Sequence, residues 1–194
     1  MRSWVFHPLI FYPLALILAV LAVTVSLKPQ AWPREPAAVA AANMQGALTF
    51  SGQAFDSPEG SPEQNLTVSR DYWGRPQALR IAVHAETPAP TPADRGVRLL
   101  LTPQDAAALE GQPLSVEVSY NALPVNQAHG LAVSIQGAGQ TAWVSQDLPT
   151  QNATVRFDLP AQTSVNAIGL RALNTGANEA FGLEITRIRI TPRA

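Results

Sequence analysis

Residues that commonly carry catalysis or bind metal ions are scarce in this sequence. It contains no cysteine, and its three histidines, His7, His84 and His129, lie far apart along the chain. The lack of cysteine excludes thiolate nucleophiles, iron–sulfur clusters and Cys-ligated zinc. No Gly-x-Ser-x-Gly elbow, HExxH pair or phosphate-cradling glycine loop occurs, and no spacing nominates a carboxylate pair for glycoside hydrolysis. We therefore expect no enzyme activity, no cofactor and no metal site.

Residues suited to binding are better represented. A sugar ring presents an apolar C–H face and a rim of hydroxyls, so its site needs an aromatic platform and planar hydrogen-bonding side chains. The strand pattern described below places four such residues opposite the apolar sets, namely Glu117, Gln136, Trp143 and Arg171. A second candidate is the pair Tyr72 and Trp73, which precedes a glycine in a turn-like segment. Both places are candidate glycan sites.

Each candidate site has a purely structural alternative. Trp143 can belong to the core, in which case its polar neighbours form an ordinary solvated sheet face. Tyr72 and Trp73 can equally cap one end of the domain. The sequence leaves both alternatives open.

The overall composition excludes one class of partner and points to a membrane. The 194 residues include 13 Lys and Arg against 14 Asp and Glu, so the formal net charge is -1, and we expect no nucleic-acid partner. Charged residues make up 14% of the chain, against about 25% in average soluble domains, while 46% are hydrophobic. This mismatch indicates a local apolar segment.

That segment runs from Trp4 to Leu27 and contains no Asp, Glu, Lys or Arg. About 20 apolar residues suffice to span a bilayer. We predict that residues 1–27 form a transmembrane signal anchor in a bacterial inner membrane, with the C-terminal domain in the periplasm. A cut after the Ala38-Val39-Ala40 triplet is the alternative, although the apolar run is long for a cleaved signal peptide.

The rest of the chain divides into a spacer and a domain. Residues 28–43 combine three prolines with the alanine-rich run Ala37 to Ala42, which predicts a semi-rigid linker that holds the domain away from the membrane. Residues 44–194 are enough for one domain with its own core.

Within that domain, short segments alternate apolar and polar residues with period two, which is typical of antiparallel strands with one buried face. Ten strands are predicted, and this number favours an all-β sandwich of jelly-roll type: Ala47 to Ala54, Leu66 to Arg70, Ala78 to Ala85, Val97 to Leu101, Leu114 to Tyr120, Gly130 to Gln136, Ala142 to Gln146, Asn152 to Asp158, Ala167 to Leu173 and Leu183 to Thr191.

Two local features interrupt this pattern. A short helix is predicted over Pro103 to Glu110, with Thr102 as its N-cap and Gly111 just past its end. In the last strand, Leu183 and Ile185 occupy one phase, while Ile188 and Ile190 occupy the other. We therefore predict a β-bulge near Thr186 or Arg187.

The second half of the chain resembles the galactose-binding-like jelly roll of carbohydrate-binding modules. The resemblance covers Val97 to Pro192 and lies in the strand spacing and in these segments: Gly130 to Ile135, Thr141 to Gln146, Ala153 to Phe157, Ile168 to Arg171 and Leu183 to Ile190. It implies the sandwich fold and a sugar as one class of ligand. The calcium site frequent in that superfamily has no recognisable acidic cluster here.

These observations lead to one expected function and one alternative. The expected function is a membrane-anchored periplasmic binding module that recognises envelope glycans. The alternative is a scaffold subunit whose sandwich docks to another envelope protein.

Overall fold

The computed structural model describes residues 7–26, 34–44, 46–83, 87, 89–139, 141–174 and 181–193. The chain divides into two compact units, Met1–Gln30 and Ala31–Ala194.

The first unit contains helix α1, Pro8–Ser26, with Pro13 inside it. Its side chains are described as far as Val23, and all of these are exposed. Among the residues that the structure describes, no helix is long and apolar enough to cross a membrane. The transmembrane segment predicted for Trp4 to Leu27 is therefore not confirmed; residues 4–6 and Leu27 lie outside the described residues.

The second unit is a sandwich of two antiparallel sheets, which confirms the predicted all-β class. The larger sheet has seven strands: β1 Ala42–Met44, β2 Ala47–Ser51, β3 Gln64–Arg70, β4 Pro76–Val83, β6 Leu114–Asn121, β9 Ala153–Leu159 and β11 Phe181–Pro192. The smaller sheet contains, in spatial order, β5 Val97–Leu100, β10 Ala167–Leu173, β7 Gly130–Gln136 and β8 Ala142–Asp147. All ten predicted strands are present; Gly130–Gln136 and Ala167–Leu173 have the predicted ends, and the other strands differ at one or both ends. The predicted strand Ala78 to Ala85 ends in residues outside the described range.

The core lies between the sheets and consists of the residues that alternate inward. The apolar residues that the alternation turns inward on β6, β7, β9 and β10 are buried, except Val155, which is half-buried; the buried ones are Leu114, Val116, Val118, Tyr120, Leu131, Val133, Ile135, Phe157, Leu159, Ile168, Leu170 and Ala172. The largest core side chains include Phe50, Phe157 and Tyr120. The Tyr120 hydroxyl donates a hydrogen bond of 2.8 Å to the Pro149 carbonyl, and burial raises the pKa of Tyr120. The period-two pattern thus assigned the core correctly.

Strand β11 contains the predicted bulge. Its register against β6 shifts between Ile185 and Arg187. On its other edge, β11 pairs with β4 from Phe181 to Ile185 and with β2 from Arg187 to Ile190. Leu183, Ile185, Ile188 and Ile190 are all fully buried, although they occupy opposite phases in the sequence. The bulge is what allows both phases to face the core.

The predicted short helix is also confirmed, as α2, Pro103–Leu109. The Thr102 side chain accepts a hydrogen bond from the Asp105 backbone N–H, and Pro103 occupies the first turn. Gly111 follows the helix with a φ of 74°, a conformation that glycine adopts without strain.

The second half of the predicted linker differs from the expectation of a free spacer. The backbone N–H groups of Ala37, Val39 and Ala41 donate to the Ser57 carbonyl, the Leu100 carbonyl and the Asp105 carboxylate. The linker prediction rested on proline and alanine content, which says nothing about backbone pairing with distant residues. Residues 34–43 are therefore attached to the sandwich, and Ala42 begins the edge strand β1.

We predict that a fragment starting at Met44 is less stable than one starting at Ala31. Truncation removes the three hydrogen bonds just described, each worth about 0.5–1.5 kcal/mol, so the melting temperature should fall by about 5–15 °C. Thermal unfolding followed by circular dichroism measures this difference. A fragment that starts at Arg34 is the control, and its melting temperature should equal that of the fragment that starts at Ala31. Equal melting of all three fragments would show that residues 34–43 contribute nothing.

Candidate functional site

The structure places the six predicted site residues in three separate regions. Gln136, Trp143 and Arg171 lie on the outer face of the four-stranded sheet, as the register of β7, β8 and β10 shows. Glu117 lies on the outer face of the seven-stranded sheet. Tyr72 and Trp73 lie in the turn between β3 and β4. The single wall that was expected from Glu117, Gln136, Trp143 and Arg171 is therefore wrong for Glu117.

The outer face of the four-stranded sheet is covered rather than open. All residues of β7 and all but the last of β10 are buried, on both faces of the sheet. The cover is the segment 89–96, called here the covering segment. The Gln136 amide donates to the Arg95 carbonyl at 2.7 Å, and the Trp143 indole N–H donates to the Asp94 carbonyl at 3.2 Å. The polar side chains of this face thus bind the protein's own backbone.

Arg171 is buried in the same place. Its side chain is 6% exposed and forms ion pairs with Glu63 at 2.6 Å and with Asp94 at 3.3 Å. A buried guanidinium is stable only when carboxylates neutralise it. The hydrogen bond from the Thr91 backbone N–H, with smaller contributions from the Thr91 hydroxyl and Arg171, lowers the pKa of Asp94 despite an opposing effect of burial. Arg171 therefore holds the covering segment through Asp94.

Trp143 is half-buried, and it is neither a core residue nor a free platform. A Cβ atom built at Gly96 would lie 3.0 Å from Cη2 of the Trp143 ring and 2.6 Å from the Leu170 carbonyl oxygen. Gly96 has a φ of 60°, so both the space and the backbone conformation at this position require glycine. The indole packs directly over the covering segment.

The outer face of the seven-stranded sheet contains a groove of about 640 Å³. Cross-strand pairing places Arg189 between Thr49 and Glu117, and Arg187 between Ser51 and Ser119. We call this cavity the sheet groove. Its lining residues are Ala42, Met44, Thr49, Ser51, Glu117, Arg187 and Arg189.

Sequence reasoning found only Glu117 among the residues of the sheet groove. The bulge was predicted, and it implies that Arg187 and Arg189 share the outer phase once Ile188 and Ile190 point inward. What the sequence did not indicate was that β11 lies between β2 and β6. That neighbourhood is what brings Thr49 and Glu117 beside Arg189.

The turn after β3 presents two exposed aromatic rings. Tyr72 is 85% exposed and Trp73 is 78% exposed, and their rings meet edge to face at 5.2 Å. The Asp71 carboxylate accepts hydrogen bonds from the backbone N–H groups of Trp73 and Arg75, at 2.9 and 2.8 Å. The buried Arg70 side chain donates to the Gly74 carbonyl. These bonds fix the turn, and the aromatic pair does not cap the sandwich.

Metal binding finds no support in the part of the chain that the structure describes. No group of three or more His, Asp or Glu side chains there is arranged to hold a metal ion.

Comparison with known proteins adds likenesses of fold only. No family model matches the chain, and no curated protein matches it. Among solved structures, it is similar to the CBM22-1 xylan-binding domain of Xyn10C from Paenibacillus barcinonensis, at 18% identity over 81% of this chain and 100% of that one, with a TM-score of 0.45. It is also similar to the CBM22-1–GH10 modules of Clostridium thermocellum xylanase 10B in complex with xylohexaose, at 10% identity over 83% and 29% of the chains, with a TM-score of 0.44.

The chain is also similar to a vertex protein. PRD1 vertex protein P5 is 11% identical over 79% of this chain and 100% of that one, with a TM-score of 0.32.

We predict that Trp143→Ala destabilises the domain, whereas Trp73→Ala does not. Trp143 loses its contact with the covering segment and its hydrogen bond to Asp94, a cost of about 2 kcal/mol or more. The exposed Trp73 makes a matched control with an expected change within about 0.5 kcal/mol. Urea denaturation followed by circular dichroism compares the two variants. If Trp143→Ala were as stable as Trp73→Ala, the indole would not be holding the covering segment.

Proposed function

We propose that this chain is a non-catalytic binding module that recognises glycans in the sheet groove. The observation that carries the proposal is the row of hydrogen-bonding side chains that lines an open cavity of about 640 Å³ on a sheet face. Sugar hydroxyls are recognised by planar, bidentate groups, and the groove supplies two guanidinium groups and one carboxylate.

The spacing of these groups suits an extended ligand. Ala42, Thr49, Arg189 and Glu117 occupy equivalent positions on four consecutive strands, β1, β2, β11 and β6. Neighbouring strands lie about 4.8 Å apart. A sugar chain that crosses the strands therefore meets one side chain per strand. Met44 is 61% exposed and adds an apolar surface at the rim.

The other predicted sugar site supports the proposal less well. Gln136 and Trp143 donate to the backbone of the covering segment, and Arg171 pairs with Asp94, so these side chains already have partners within the protein. A glycan bound there would have to displace residues 89–96.

We expect that the full-length protein binds polysaccharide and that groove variants lose this binding. Arg189→Ala removes a side chain at the centre of the row and should weaken binding about tenfold or more, the loss expected for one charge-assisted hydrogen bond. Affinity electrophoresis against a panel of neutral and acidic bacterial polysaccharides measures the effect. Arg34→Ala is the control, because Arg34 is an exposed arginine that does not line the groove.

The same experiment tests the aromatic turn as an alternative site. Loss of binding in Trp73→Ala, with unchanged binding in Arg189→Ala, would move the glycan site to Tyr72 and Trp73. Absence of any ligand would contradict the glycan assignment altogether.

A second candidate function is docking to another envelope protein through the turn between β3 and β4. The observation that favours it is the exposed pair Tyr72 and Trp73 beside Arg75, on a turn fixed by Asp71. Tyrosine, tryptophan and arginine are the residue types that dominate binding energy at protein interfaces. A rigid turn also loses little conformational entropy on binding.

We further propose that the module is anchored in a bacterial inner membrane and acts in the periplasm. The support is the uncharged run from Trp4 to Leu27 in the sequence. A reporter that is active only in the periplasm, fused after Ala194, should be active, and the full-length protein should sediment with inner membranes. A soluble mature protein that starts at Ala41 would contradict the anchor and indicate cleavage after Ala40.

A further inference from the structure

The charges of the sheet groove are unequal. Its lining contains two arginines and one carboxylate. Arg189 lies 3.7 Å from Glu117, which partly neutralises it. Arg187 has no acidic partner among the described residues. Its guanidinium donates a hydrogen bond of 3.4 Å to the Ser119 hydroxyl. The groove therefore carries an excess positive charge at Arg187.

The residues around Arg187 are hydroxyl-bearing. Ser51 and Ser119 are its cross-strand neighbours on β2 and β6. The Ser119 hydroxyl also shares a hydrogen bond of 2.8 Å with the Thr154 hydroxyl, which holds it in place. A guanidinium flanked by hydroxyls offers several donors to one anion and no repelling carboxylate next to it.

We infer that the sheet groove selects an acidic glycan and that Arg187 binds a uronate carboxylate of this ligand. The inference rests on the proposed glycan-binding function and specifies its ligand class. Arginine matches the planar geometry of a carboxylate and bonds it bidentately, which is stronger than a bond to a neutral hydroxyl. Arg187 and Arg189 are two residues apart on one strand face, about 7 Å, so a sugar chain that crosses the strands at Arg189 lies beside Arg187.

The charge of Glu117 should affect the binding of acidic and neutral glycans in opposite directions. Its carboxylate neutralises Arg189 and repels an anionic ligand nearby. A Glu117→Gln variant keeps the shape of the side chain and removes the charge. Binding of an acidic glycan should therefore become about two- to fivefold tighter in this variant, whereas binding of a neutral glycan through hydroxyls to Glu117 should become weaker.

The experiment uses the full-length protein in non-ionic detergent and three probes: polygalacturonate, its carboxyl-reduced neutral form and dextran sulfate. Isothermal titration calorimetry at about 0.15 M salt should give binding to polygalacturonate at least tenfold tighter than to the neutral form. Arg187→Ala should lose about tenfold or more toward polygalacturonate, Glu117→Gln should gain, and the control Arg34→Ala should be unchanged.

The outcomes separate the inference from the proposed function. Equal binding of the acidic and neutral polymers, abolished by Arg189→Ala, would leave glycan recognition intact and overturn the acidic preference. Dextran sulfate binding as tight as polygalacturonate binding would show attraction to any polyanion and overturn the carboxylate selection. Weaker binding of polygalacturonate by Glu117→Gln would overturn the role given to charge. If none of these polymers binds while the bacterial polysaccharide panel yields a neutral ligand, the acidic preference is overturned and glycan recognition stands; no ligand in either set would contradict the proposed function.

Discussion

Strand β11 has to pair on both edges while it buries apolar residues of two opposite phases. β6 borders one edge, and on the other edge β4 gives way to β2 at the register shift between Ile185 and Arg187. Without that shift, Arg187 would share the inward face of Ile185, because residues two apart in a strand point to the same side. A lone arginine in an apolar core carries a large desolvation penalty. The bulge therefore satisfies the core and, in the same step, places Arg187 and Arg189 on the outer face.

The polar side chains on the outer faces of the two sheets differ in what they contact. On the four-stranded sheet, Gln136, Trp143 and Arg171 bond to the covering segment, so polar side chains serve internal attachment. On the seven-stranded sheet, Arg187 is exposed and Glu117 and Arg189 are half-buried along the sheet groove. Along the strands of both sheets, polar side chains alternate with apolar ones. What distinguishes the two sheets is whether another part of the chain supplies the partner.

This difference explains which features of the molecule the sequence could predict and which it could not. Alternation within one strand is a local property, so it predicted the strands, the inward sets and the bulge. The cap of α2 at Thr102 was predicted from the residue types at the two ends of the helix, which are also local. Partners that are distant in sequence leave no local trace: Arg171 looked like a surface residue because Asp94 and Glu63 are far away along the chain. Glu117 was grouped with Trp143 because strand phase identifies a face without saying which sheet carries it. The attachment of residues 34–43 was missed for the same reason, since backbone N–H groups exist at every residue except proline.

The edge strand β1 supplies both a rim of the sheet groove, through Ala42 and Met44, and the continuation of the attached residues 34–41. Along the chain, β1 lies between residues 34–41 and the strands that form the core. Mechanical tension applied from the N-terminal side therefore reaches the hydrogen bonds of Ala37, Val39 and Ala41 first, then the three residue pairs of β1 with β2, and only afterwards the core. Because one wall of the groove would detach before the sandwich unfolds, a ligand held there would be released by pulling at forces that leave the fold intact.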